Sequence, residues 1–249
     1  MSGLIKVGCC GFSGGRRSYF KLFDLVEVQS TFYRLPRVET VERWRNEAPE
    51  GFEFTMKAFQ GLTHPAKSPT WRRSGLKLTQ EEVEGYGFLK PTEVNYRAWR
   101  DTRRIAEALE ASIVVLQCPP SFTCSEENVE GMRSFLSTID RGSLRLAWEP
   151  RHRSWSPETV RRLCMELDLI HVVDPFKNQT QTYDVNPIYY RLHGLGSRAY
   201  RYRYTEEDLK TLYERFVKSF EEEGLEVYIL WNNIYMREDA LRFKEMFKV

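Results

Sequence analysis

A single (β/α)8 barrel of the TIM type is the fold class this sequence predicts, and three observations predict it. Eight short apolar runs are spread from one end of the chain to the other, and nearly all of them stop on a polar or charged residue. Helical patterns separate most of these runs, the signature of parallel strands joined by crossover helices. The chain has 249 residues, the length such a barrel commonly uses for one closed sheet, about 250 residues.

Each element has its own justification. The first run, Leu4 to Cys9, is broken by Lys6 and Gly8, which makes it too short for a secretory core or a membrane span, so the folded domain is expected to begin almost at Met1. The turn that follows, Gly8 to Arg17, carries four glycines and two arginines. Its backbone N–H groups could cradle an anion, yet its spacing is neither a Walker nor a dinucleotide fingerprint, and a tight turn with a solvated basic edge explains it equally well. The second run, Leu25 to Gln29, leads into a helix carried by Val38, Val41, Glu42, Trp44 and Arg45 and ended near Pro49.

The third run, Phe52 to Lys57, opens the longest connection, Ala58 to Ser112, which holds a glycine-punctuated stretch and then a strong helix, Tyr96 to Ala111. Connections of this length are often lids or binding loops, so this insertion is expected to overhang the rim. The fourth and fifth runs are Ile113 to Gln117 and Leu144 to Glu149; Ser156-Pro157 then reads as an N-cap with proline at the first helical position. The sixth, Ile170 to Asp174, is followed by Pro175 to Pro187, where no helix is convincing. The seventh, Ile188 to His193, precedes a capping box at Thr205 to Asp208 and a helix closed by Gly224. The eighth, Val227 to Asn232, has its partner in a terminal helix, Arg237 to Phe247.

Composition limits the function classes. With 37 Lys and Arg against 35 Asp and Glu, a net charge of +2 gives no global field for a membrane or nucleic acid, so anion binding must come from local clusters. Five cysteines, odd in number and without a CxxC pair, suggest neither a disulfide framework nor a zinc ribbon and fit a cytoplasmic setting. No membrane association and no cofactor are expected, and residues 1–249 read as one domain.

In barrels of this kind the reactive groups stand where strands end. That rule brings Gln29, Lys57, Gln117, Glu149, Arg151, Asp174, Arg191, His193 and Asn232 to one rim. Strand parity groups Glu27, Gln29 and Thr31 on one face, as it does Glu149 with Arg151 and Arg191 with His193. A carboxylate facing the helix layer would be costly unless paired, so these residues are placed inward. His193 and His64 are candidate proton-transfer groups, since a free imidazole titrates near neutrality. His171, of opposite parity to Asp174, is assigned to packing. Lys57, Arg151 and Arg191 among three carboxylates suit an anion held by cations better than a metal, whose ligands would be crowded by positive charge, and no metal site is assigned. A Schiff-base role for Lys57 is chemically allowed. The bland alternative is that Glu27, Arg151 and Arg191 form a structural ion-pair cluster filling the barrel mouth.

The motifs Val26-Glu27-Val28-Gln29-Ser30-Thr31-Phe32-Tyr33, Phe54-Thr55-Met56-Lys57-Ala58 with Leu62-Thr63-His64, Leu116-Gln117-Cys118-Pro119-Pro120, Trp148-Glu149-Pro150-Arg151-His152, Tyr190-Arg191-Leu192-His193-Gly194 and Trp231-Asn232-Asn233 resemble the YecE-like family, a family of unknown function. The resemblance runs in order over nearly the whole chain and implies a TIM-type barrel. It matches at Glu27, Thr31, Tyr33, Lys57, His64, Gln117, Glu149, Arg151, Arg191, His193 and Asn232. The family usually carries Asn where Gln29 stands and Trp where Phe12 stands. The implied fold is also similar to that of barrel endonucleases acting on abasic DNA, whose metal-binding side chains are not evidently reproduced.

These observations lead to an expected enzyme, a hydrolase or lyase acting on a phosphorylated or otherwise anionic small molecule. Glu149, His193, Lys57 and Asp174 are its catalytic candidates, and Glu27, Gln29, Thr31, Tyr33, His64, Gln117, Arg151, Arg191 and Asn232 its binding residues. Placed for function, Glu149 and Arg191 are expected to be replaceable by Gln and Met without loss of the fold. One alternative is a non-catalytic nucleic-acid-binding protein using Arg198, Arg201 and Arg203, which interleave with tyrosines in a pattern suited to phosphates and stacked bases. Another is a metal-assisted phosphodiester hydrolase.

Overall fold

The eight apolar runs become strands because each alternates between two buried faces, one toward the barrel interior and one toward the helices. Strands β1 (Ile5–Cys10), β2 (Leu25–Val28), β3 (Glu53–Lys57), β4 (Ala111–Gln117), β5 (Arg145–Glu149), β6 (Leu169–Val173), β7 (Ile188–Leu192) and β8 (Val227–Trp231) run in sequence order around the sheet. All are parallel, and β1 pairs with both β2 and β8, which closes the barrel. The structure, a computed structural model, describes residues 4–249 without the side chains of Arg198 and Ala199; Met1, where the domain was expected to begin, lies outside the described residues. No described helix is long and apolar enough to cross a membrane.

The interior is filled in layers. Leu25, Ile113, Val115, Ile170, Val172 and Leu230 form an apolar middle separate from the larger core between sheet and helices. Below it, Lys6 pairs with Glu53 at 2.6 Å and Glu226 at 2.9 Å and closes the N-terminal end. Above it the inward positions turn polar. Gly8 is required in β1 because a Cβ there would stand 2.1 Å from the Leu25 carbonyl oxygen.

Several boundaries differ from the sequence-based expectation. Gln29, Asp174, His193 and Asn232 lie one residue past their strands. Thr31 falls in a helical turn, Ser30–Tyr33, so the strand parity that grouped it with Glu27 does not extend that far. The long helix spans Glu93–Ala108 instead of Tyr96 to Ala111. Thr92 caps its start by accepting from the Asn95 N–H, and Glu110 at φ +54 turns the chain straight into β4.

Other signals hold. Ser156 accepts from the Thr159 N–H with Pro157 in the first turn, and Thr205 and Asp208 form the expected capping box. No helix lies between β6 and β7 among the described residues. The insertion between β3 and β4 is tied together by aromatic contacts: Trp71 stacks on Tyr86 at 5.3 Å, and Phe59 meets both edge-on. Arg73 reaches from it to donate to the Tyr33 hydroxyl at 2.7 Å, so the insertion does lean over the β2 end of the rim.

Candidate functional site

The polar strand ends rise like a staircase, because the barrel shear offsets each strand from its neighbour. Glu27 is level with Thr55, Lys57 with Val115, and Gln117 with Glu149. Lys57 therefore stands one inward step above Thr55, and Gln117 one above Val115.

At the centre is Arg191, 0% exposed. Its Nη1 donates to Gln117 Oε1 at 3.0 Å and to Glu149 Oε2, and its Nη2 faces Glu27 Oε1 at 3.0 Å, off the angle of a hydrogen bond. Burial alone would lower the arginine's pKa, but the Glu27 and Glu149 carboxylates hold it above its ordinary value. Beneath this group, Tyr189 donates to Glu27 Oε2 at 2.9 Å and lies 2.8 Å from the Thr55 hydroxyl.

The chain of contacts continues outward. Arg151, whose side chain is 26% exposed, donates from Nε to Glu149 Oε1 at 2.8 Å and from Nη2 to His193 Nε2 at 3.0 Å. Because a guanidinium cannot accept, His193 Nε2 must be the acceptor and its proton sits on Nδ1, which faces Asp174 Oδ2 at 3.8 Å. Burial lowers the His193 pKa despite Asp174. Asp174 is held below its ordinary value against the effect of burial by His193 and Lys177, whose ammonium lies 3.1 Å away.

Two catalytic candidates are thereby poorly placed for proton transfer. Glu149 has one oxygen on Arg151 and the other on Arg191; burial would raise its pKa, but these cations hold it well below the carboxylate range. The basic nitrogen of His193 is occupied by Arg151. Lys57 differs. Its ammonium lies 3.6 Å from the centroid of the Phe32 ring and has no carboxylate at ion-pair distance among the described residues. Burial, followed by the neighbouring Arg191, pushes its pKa down to about 7. His64, bonded at Nδ1 to the Thr63 hydroxyl at 2.8 Å, is pushed down to about 3 by burial and then by Lys57 and Arg151, so it is neutral.

The remaining expected residues divide. Gln29 donates to Glu27 and edges the cluster. Thr31 donates to the carbonyls of Val28 and Lys57, at 2.9 and 2.7 Å, and so joins two strand ends without facing the mouth. Tyr33 lies under the Arg73 guanidinium, 4.2 Å from its ring centroid. Asn232 is half-buried at the end of β8, its backbone N–H on the Leu192 carbonyl. Arg191 is enclosed, not open to a ligand as sequence placed it, because three acceptors on the top layer close around its guanidinium.

His171 faces the helix side, where its Nδ1 accepts from the Gln181 N–H at 3.0 Å. Arg16 of the glycine-rich turn is held by Glu47, with Nε at 2.8 Å, so the turn presents no free pair of arginines. Of the arginine-tyrosine segment, Tyr202 is bonded to Asp208 and buried Tyr204 to the Gly194 N–H, which leaves only Tyr200 exposed. Arg201 and Arg203 are exposed, and the side chain of Arg198 lies outside the described residues.

Sequence reading missed Tyr189, Thr55 and Phe32. The first two share inward parity with Arg191 and Lys57 two residues on, and extending that parity downward would have found them. Phe32 carries no signal, since only folding brings its ring under Lys57. Among the described residues no three His, Cys, Asp or Glu side chains are grouped to hold a metal ion. A cleft of about 290 Å³ opens at the opposite end of the barrel, lined by Lys6, Phe20, Asp24 and Val249 among others. At the mouth, Glu27 and Arg191 are fully buried and form the floor.

Comparison with known proteins agrees with this architecture. A DUF72 family protein of Enterococcus faecalis V583 is similar with a TM-score of 0.76 and 23% identity, covering 98% of each chain. One from Thermotoga maritima has a TM-score of 0.68 and 25% identity, over 98% of this chain and 99% of that one. The UPF0759 protein YunF of Bacillus subtilis is 24% identical over 259 residues, 94% of this chain and 85% of its own. Endonuclease IV of Thermus thermophilus shares the barrel alone, at a TM-score of 0.54 and 16% identity over 98% of this chain and 99% of that one. Residues 15–248 match the family described as protein of unknown function DUF72, and the chain belongs to that family.

Proposed function

We propose that the protein is an enzyme that takes a small anionic substrate at the C-terminal mouth of the barrel, with Arg151 as the counter-charge and Lys57 as the group that moves a proton. The observation that carries this reading is the position of Lys57: an amine on a strand end, beside two arginines and without a carboxylate of its own. Arg191 and Lys177 are matched by Glu27, Glu149 and Asp174, so the unmatched positive charge of the mouth lies at Lys57 and the outer face of Arg151. An anion entering there meets charge-assisted donors. It also raises the basicity of Lys57, so that binding takes up a proton. A base with a pKa near neutrality is better matched to proton transfer than Glu149 or His193 in their present bonds.

The nucleic-acid reading draws support from exposed Tyr200, Arg201 and Arg203, but loses the stacking surfaces of Tyr202 and Tyr204. Titration calorimetry with inorganic phosphate in two buffers of different protonation enthalpy tests the proposal. The expected result is binding with net proton uptake near pH 8, lost in Lys57→Met and weakened in Arg151→Met. Absence of binding by phosphate and by small carboxylates alike would reject it. Salt-sensitive binding of a single-stranded oligonucleotide in their place would favour the alternative.

A further inference from the structure

We infer that Lys57 is a nucleophile that condenses with the carbonyl carbon of an aldehyde or ketone bearing an acidic group, forming a protonated Schiff base at the barrel mouth. The inference rests on the anion-site reading above and names its substrate class.

Three features of the geometry support it. Lys57 is the last residue of β3 and is 7% exposed, so its side chain is packed within the mouth while keeping some access to it. Its amine rests on the face of Phe32, 3.6 Å from the ring centroid, a contact weaker than an ion pair in holding the ammonium form, and no carboxylate lies at ion-pair distance among the described residues. Burial lowers its pKa to about 7, with Arg191 and Arg151 adding to the effect and Glu149 and Glu27 opposing it, so the free amine is accessible near neutral pH. A general base alone would serve as well with its proton hydrogen-bonded to a carboxylate. Lys57 has no carboxylate at ion-pair distance among the described residues, and the nearby Glu27 and Glu149 are paired with Arg191.

The step balances without an oxidant or reductant. The neutral amine adds its lone pair to the carbonyl carbon, the oxygen takes up the nitrogen's proton, and the carbinolamine loses that oxygen as water with one further proton, leaving a carbon–nitrogen double bond bearing positive charge. That iminium withdraws electrons from the adjacent carbon, which suits bond cleavage or proton loss there, and water reverses the condensation. Arg151 would hold the acidic group of the substrate at the exposed end of the site.

Reductive trapping tests it on the whole wild-type protein. The protein is incubated with glyoxylate, an aldehyde that carries a carboxylate, and sodium cyanoborohydride at pH 7, and the sites of carboxymethylation are followed by peptide mass spectrometry. Propanal, of similar size and uncharged, is run in parallel. A lysine with a pKa of about 7 has about a thousandfold more free amine at this pH than one at 10.5. Even with hindered access, Lys57 is expected to be modified at least about tenfold faster than any other lysine. The preference should be larger with glyoxylate than with propanal and should fall to the propanal level in Arg151→Met. Lys57→Arg, which keeps the charge, should show no labelling at that position.

Modification of Lys57 no faster than of surface lysines by either aldehyde overturns the inference. Phosphate binding measured on the same preparation separates the two failures: retained binding without selective labelling removes only the nucleophile, and loss of both removes the anion site with it.

Discussion

Arg191→Met is the substitution whose outcome the structure fixes most sharply. The guanidinium is fully buried between Glu27 and Glu149, and methionine fills a similar volume without charge. Removing one partner of a buried ion pair strands the other, at a cost of about 3–5 kcal/mol. For a chain of this size each kcal/mol moves the melting temperature by about 2–4 °C, so the expected drop at pH 7 is about 6–20 °C. The sequence-based expectation was the opposite, a variant that loses function and keeps stability; it assumed an arginine open to ligand, and the structure encloses it. The sign of the pH dependence follows from Glu149, whose folded pKa lies below its ordinary value. Its contribution in the wild type is present above the unfolded pKa of about 4.3 and is lost as pH falls through the folded value. The variant keeps only the part of that contribution that Arg151 supplies, and a stranded carboxylate is relieved by protonation. The gap between the two proteins should therefore be full at pH 7 and shrink as pH falls below about 4.3 toward the folded value. Adding Glu149→Gln and Glu27→Gln to Arg191→Met should restore much of the loss. Thermal melts of wild type, the single variant and the triple variant at pH 7 and at about pH 3 suffice. A drop of less than about 3 °C for the single variant, or a gap that does not change with pH, would refute the assignment of Arg191 as the hub of the mouth.

Lys57→Met should raise stability near neutral pH, because a lysine whose folded pKa is depressed to about 7 opposes folding below that value and ceases to do so as pH rises through its unfolded pKa of about 10.4. Urea melts at pH 7 and pH 10 should show the variant's advantage at the first and little at the second, and an equal difference at both would contradict the assignment. Tyr189→Phe removes the hydroxyl shared by Glu27 and Thr55 and is expected to cost about 1–3 kcal/mol in urea unfolding, as for a buried group left without its partner; a neutral result would mean that Arg191 and Gln29 suffice to hold Glu27.

The order of strands, the closed barrel and the rim that carries the polar residues were legible in the sequence for a simple reason. A parallel strand buried on both faces reads as a short apolar run, and a polar residue can end it only where the barrel opens. The caps at Ser156 and Thr205 were legible because their partners lie three residues away. What the sequence could not supply is which cation belongs to which carboxylate. Lys57, Arg151 and Arg191 are equivalent as letters. Tertiary structure sinks Arg191 beneath the floor between Glu27 and Glu149, hands Arg151 to Glu149 and His193, and leaves Lys57 on the ring of Phe32 with its charge unmatched. Those differences arise from the shear that sets Lys57 one inward step below Gln117 and Glu149, and from a helical turn at Ser30–Tyr33 that redirects Thr31 onto two carbonyls and turns Phe32 inward. Both depend on contacts between strands far apart in the chain, so local pattern fixes where the mouth is, and long-range packing decides which of its groups is left to react.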